Sequence, residues 1–260
     1  MSLTTLDWER YERDGLLRLG KVLSAEDLKR LHKRIDDIMM GVADTGYDRL
    51  LMQLDSKDGA YENAGEASRG YKGATLLYRK IQDLEHDSLY MEYMQRPLFR
   101  EICAHVYGGD TPISLFRAMF MNKPAHAGTL LPWHQDRWTD LDRDPLVTVW
   151  MALDPATVAN GCVQVIPGSH HYGLVNPSHG SGFLDPSQVP EYAPDEKAEY
   201  LELEPGEAVL LHNWLLHRSD KNASDVSRRA FSVCYMDGRT KSASGGVFTP
   251  VFEGQESLVG

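Results

Sequence analysis

Apolar residues recur along this 260-residue chain at two different periods, helical in its first part and alternating in its second. From Thr5 to Asp14, Leu6, Trp8 and Tyr11 stand among charges, and Gly15 offers a helix stop. Leu16 to Leu19 reads as a short strand. Ser24 with Asp27 three residues on is a capping pattern, and Leu28, Leu31, Ile35, Ile38, Met39 and Val42 follow at helical spacing, predicting an amphipathic helix whose stripe faces a core. A second helical pattern, carried by Leu89, Tyr90, Tyr93, Met94, Leu98 and Ile102, runs from Asp87 to Val106 and ends at Gly108-Gly109.

Short strands with turn punctuation come next: Ile113 to Met121, Val147 to Leu153, Cys162 to Ile166 after the turn Asn160-Gly161, Ala208 to Leu211 after Pro205-Gly206, and Ala230 to Tyr235. Helices first and strands afterwards predict an α+β protein with a double-sheet jelly-roll core. The expectation is one domain over 1–260, helical to about residue 110 and a jelly roll over about 111–250. Two segments lack periodicity. Residues 43–74 are Gly-rich and read equally as a functional lid or as disorder, and the Pro-rich stretch from Ile166 to Tyr200 suits a wall or lid over a pocket.

Charge narrows the partners. A net charge of −11 opposes a phosphate backbone or an anionic membrane, and no run reaches the length of a membrane span, so neither nucleic acid nor membrane is an expected partner. The sequence carries no signal for oligomeric state. Three cysteines without C-x-x-C spacing argue against a disulfide framework and a thiolate zinc site, and point to a reducing, cytoplasmic setting.

The candidate chemistry starts at Trp133-His134-Gln135-Asp136-Arg137. In an extended segment the His-x-Asp spacing puts an imidazole and a carboxylate on one face, two thirds of a metal site. Two histidines and one carboxylate leave three adjacent positions open on a non-haem iron(II). Downstream imidazoles are His170, His171, His179, His212 and His217. His217 stands out because Ser219, Asn222 and Arg228 follow it at two, five and eleven residues. An arginine one strand from a metal ligand can hold the far carboxylate of a dicarboxylate such as 2-oxoglutarate. Arg229 would point to the opposite strand face from Arg228.

The chain resembles the phytanoyl-CoA dioxygenase family of Fe(II)- and 2-oxoglutarate-dependent dioxygenases. The resemblance lies in RDGLLRLGKVLSAEDLKRL (13–31), RKIQDLEHD (79–87), FMNKPAHAG (120–128), WHQD (133–136), VWMALDPATVANGCVQVIPGSHHYG (149–173) and LEPGEAVLLHNWLLHRSDKNASDVSRRAF (203–231). It implies a double-stranded β-helix core, His134, Asp136 and His217 as iron ligands, and Arg228 as the clamp on 2-oxoglutarate. Ser219, Lys80 and Trp150 match positions that help hold that cosubstrate. O2 would be the oxidant and a small-molecule metabolite the substrate. Relatives that halogenate replace the triad carboxylate by a small residue; Asp136 is present, so hydroxylation is the expected outcome. Tyr71, Arg117, Asn122, Arg137 and Trp138 are the candidate substrate residues. A cupin-like metal enzyme working without 2-oxoglutarate, and a jelly-roll binding module that merely keeps the triad, remain the alternatives.

Overall fold

In a computed structural model, which describes residues 3–254, the chain opens with two capped helices, α1 (Thr5–Asp14) and α2 (Ala25–Met40), separated by β1 (Leu16–Lys21). Both helices carry capping boxes, Thr4 with Asp7 and Ser24 with Asp27, and both end on a glycine in the left-handed region, Gly15 and Gly41. The second helical stretch is broken in two, α3 (Ser88–Met94) and α4 (Pro97–Tyr107). Pro97 has no N–H to give and biases Arg96 to extended backbone (ψ 141), so the helix restarts with proline in its first turn.

The remaining strands are β2 (Leu51–Leu54), β3 (Ser68–Arg69), β4 (Tyr78–Gln82), β5 (Ile113–Lys123), β6 (Leu131–His134), β7 (Val147–Ala152), β8 (Val163–Val165), β9 (Glu199–Leu201), β10 (Glu207–His212), β11 (His217–Ser219), β12 (Arg228–Asp237) and β13 (Thr249–Phe252). They form two antiparallel sheets. The larger runs β1-β10-β7-β12-β5-β4-β2-β3 with β13 also on β5, and the smaller runs β6-β11-β8-β9. The first 110 residues are therefore not only helical: they add β1 at one edge of the large sheet and β2, β3 and β4 at the other. Residues 43–74 supply two of these strands, and residues 166–200 fold into short turns, a helical turn at Val189–Tyr192 and β9.

Alternation along the strands builds two separate apolar layers. Val147, Val149, Met151, Phe231, Val233 and Tyr235 face the helices and pack with Trp8, Leu31, Ile35, Tyr90 and Phe99. Their neighbours of opposite parity, Trp150, Ala152 and Ala230, face the small sheet and pack with Val163, Val165 and Leu211. One sheet face is thus spent on stability, and the other lines the space between the sheets, where a ligand can be enclosed. No described helix is long and apolar enough to cross a membrane.

Candidate metal centre and anion pocket

Register brings the histidines together. In the small sheet His217 on β11 lies opposite His134 on β6, and their ring centroids are 4.0 Å apart. Asp136 follows β6, and its carboxylate reaches within 4.0 Å of His217 Nε2. One ligand atom from each of His134, Asp136 and His217 lies within 4.8 Å of the others.

Both imidazoles are oriented by backbone. His134 Nδ1 is 2.8 Å from the Pro132 carbonyl and His217 Nδ1 is 2.9 Å from the Leu215 carbonyl. A carbonyl only accepts, so each Nδ1 carries the proton and each Nε2 lone pair is free for a metal. Burial, with His217 beside it, pushes the His134 imidazole well below the ordinary histidine range, so it stays neutral and ready to ligate. Phe183 lies over its other side, ring centroids 4.9 Å apart.

Between His134 and Asp136, Gln135 is buried and works as a brace. Its Nε2 donates to the Gly173 and Trp214 carbonyls at 2.7 Å, and its Oε1 accepts from Val175 N. Gly182 closes the brace from the other side: a Cβ there would stand 2.0 Å from the Gln135 carbonyl oxygen, and its φ is +69°. The Pro-rich segment is thereby fastened to the His134–Asp136 segment, and it contributes Ser181 and Phe183 to the pocket wall.

The cluster opens into a cavity of about 330 Å³ between the sheets. At one end stands Arg228. It is buried, among the described residues its Nε and Nη1 have no hydrogen-bond partner, and the guanidinium lies 5.4 Å from the Trp150 ring centroid. Burial lowers it to about 10, which still leaves it charged at neutral pH. Arg229 points out of the other face and is spent on Asp154 and Asp36, at 2.6 and 3.1 Å. Ser219, Lys80, Arg117, Asn122 and Trp138 also line the cavity.

Tyr71 and Arg137 do not line this cavity. Tyr71 is packed on Tyr47 beside Gly41, past the end of α2, and Arg137 turns away from Asp136 to donate to the Pro177 carbonyl at 2.7 Å. Asn122 does reach the wall, but its amide is engaged by the Leu76 and Tyr78 carbonyls, which ties the end of β5 to β4. Sequence reasoning missed Arg79, Lys123, Met119, Met121, Tyr61 and Phe183. Part of that wall was readable: Arg117, Met119, Met121 and Lys123 are every second residue of β5. Tyr61 and Phe183 come from segments without periodicity and had no such signal.

These residues fit a metal ion with a dicarboxylate beside it. Two free Nε2 atoms and a carboxylate are the donor set of non-haem iron, and a buried, unsatisfied guanidinium calls for an anion. A double-stranded β-helix carrying that site defines a non-haem iron oxygenase. The chain belongs to the phytanoyl-CoA dioxygenase (PhyH) family, whose model matches residues 11–230. It is 26% identical over 236 residues to a probable phytanoyl-CoA dioxygenase of Caenorhabditis elegans, covering 86% of this chain and 72% of that one. To the phytanoyl-CoA dioxygenase of Arabidopsis thaliana it is 24% identical over 254 residues, covering 89% and 88%. Among solved structures the fold is similar to EctD from S. alaskensis, with TM-score 0.72, 18% identity, and coverage of 98% of this chain and 85% of that one. EctD has also been solved with bound Fe, and with 2-oxoglutarate and 5-hydroxyectoine.

Proposed function

We propose that this protein is an Fe(II)- and 2-oxoglutarate-dependent dioxygenase that hydroxylates an unactivated C–H bond of a small-molecule metabolite in a reducing, cytoplasmic setting. The observation that carries the reading is the pairing of a two-histidine, one-carboxylate cluster with an unsatisfied buried arginine in one cavity. When bound, iron with 2-oxoglutarate and O2 supplies the oxidising power, 2-oxoglutarate leaving as succinate and CO2.

His134 and His217 offer Nε2 and Asp136 its carboxylate, three protein donors that leave positions for cosubstrate and oxidant. Arg228 would hold the distal carboxylate of 2-oxoglutarate, with Ser219 and Trp150 beside it and the Lys80 ammonium adding charge. Because Arg228 is fixed in β12, the cosubstrate is oriented before the reaction starts. Phe183, Val163, Leu211 and Met121 give the cavity apolar walls that limit water around the metal. Asp136 occupies the place that a halogenating enzyme must vacate for a halide, which favours hydroxylation.

Adding 2-oxoglutarate to the Fe(II)-loaded protein under anaerobic conditions should give a visible metal-to-ligand charge-transfer band. Absence of the band, or a band whose dependence on 2-oxoglutarate concentration is untouched by Arg228→Ala, would sink the cosubstrate assignment. His217→Ala should abolish iron retention while His212→Ala keeps it.

A further inference from the structure

Strand register sets a second arginine at the far end of the same cavity. On the β5–β12 ladder Lys123 pairs with Arg228 and Arg117 pairs with Cys234, so the two arginines are separated by six residues, about 20 Å along the strands. Asp136 of the metal cluster is tethered toward the Arg117 end. Asp136 N donates to the Asn213 carbonyl at 2.7 Å, and Asn213 Nδ2 reaches Cys234 Sγ, the ladder partner of Arg117, at 3.3 Å. Two residues beyond Asp136, the Trp138 ring lies under the Arg117 guanidinium at 4.6 Å, with Phe116 at 4.9 Å.

Among the described residues no hydrogen bond or ion pair reaches that guanidinium. It faces the cavity, which it lines together with Lys80, itself without an ion pair. Burial lowers the affinity of Arg117 for its proton, and Asp136 is the charge that supports it most. A metal would claim that carboxylate. Arg79 and Arg228 add further positive charge to the wall. An iron(II) ion and a 2-oxoglutarate dianion cancel each other, so the excess of positive charge remains after both have bound.

We propose that the substrate is a small carboxylic acid, its carboxylate held by Arg117 and its reacting carbon lying back toward the metal cluster. This rests on the function proposed above and names the substrate class for that site. Trp138 and Phe116 hold the guanidinium flat, leaving its N–H edge for the ligand, and the opposite end of the cavity is reserved for the cosubstrate. The size of the cavity suits two small molecules, at the low end of ligand pockets.

The test is calorimetric binding of straight-chain carboxylates of about four to ten carbons, with the matched primary amides and alkyl phosphates, to the Fe(II)- and 2-oxoglutarate-loaded protein without oxygen. At least one carboxylate should bind about tenfold or more tightly than its amide. Arg117→Met should erase that preference, Arg117→Lys should retain part of it, and both variants should keep the charge-transfer band with 2-oxoglutarate. Equal binding of acids and amides, no binding by any acid, or a preference that survives in Arg117→Met would overturn the proposal. A consistent preference for the alkyl phosphates would overturn its carboxylate half. A wild-type protein that shows no band with 2-oxoglutarate would instead count against the cosubstrate reading, which the acid-to-amide comparison does not measure.

Discussion

The Pro132 and Leu215 carbonyls decide the tautomers of His134 and His217, and so decide which ring nitrogen a metal meets. Arg228 favours an anion beside them, because among the described residues two of its guanidinium nitrogens are buried without a partner. Replacing it by Met should weaken 2-oxoglutarate binding by about tenfold or more while leaving metal affinity unchanged, read by titrating the charge-transfer band. Lys80 makes the same pocket sensitive to pH. Burial, with Arg117 and Arg79 alongside, pushes its ammonium down to about 7 from the ordinary 10.5. Above about pH 7 the free protein holds Lys80 mostly neutral, and a bound anion favours its charged form, so binding must draw in a proton. Affinity for 2-oxoglutarate should therefore fall as pH rises from about 7 toward 10.5. Calorimetry at pH 8 in buffers of different ionisation enthalpy should report uptake approaching one proton, and Lys80→Met should report none.

At the scale of single elements, β12 shows how one strand serves stability and chemistry together. Its outward Arg229 meets Asp154, whose side chain is 10% exposed and also takes His32 at 3.2 Å. Asp154→Ala leaves the Arg229 charge with Asp36 alone and should cost about 1.5–3 kcal/mol in chemical denaturation without altering the cavity on the other face. The loop carrying Gly182 is fastened just as closely to Gln135. Gly182→Ala demands both a left-handed backbone and room that the Gln135 carbonyl occupies, so the His134–Asp136 segment must shift. Metal affinity should drop by about ten- to a hundredfold, measured by competition with a chelator. A fall in melting temperature with unchanged metal affinity would show the loop to be a structural brace alone.

For the molecule as a whole, the proposed function would have metal and cosubstrate bind residues drawn from both sheets, His134 and His217 from the small one and Arg228 and Lys80 from the large one. Binding should therefore couple to global stability. At about a hundred times its dissociation constant a ligand adds about 2.7 kcal/mol, several degrees in melting temperature for a domain of this size. Mn(II), a redox-stable substitute, should raise the melting temperature, and 2-oxoglutarate should raise it further. Arg228→Met should lose only the second increment.

Local rules of the chain determined most of the architecture. Capping boxes, glycine stops and helical spacing define α1 and α2, and short apolar runs bounded by polar or turn residues mark β7 and β12, because these depend on neighbours within a few residues. The residues that meet at the cluster were legible in part: His134 and Asp136 come to one side although Asp136 lies past the end of β6, and strand parity separates Arg228 from Arg229. Packing decided the rest. That β2, β3 and β4 extend the large sheet, that α3 and α4 are two helices, and that Tyr71 and Arg137 turn away from the cavity depend on partners far along the chain. The same holds for Arg117. Its residue type and strand face can be read from the sequence, but its place at the opposite end of the cavity from Arg228 is set by the register of β5 on β12, a long-range pairing that no local pattern encodes.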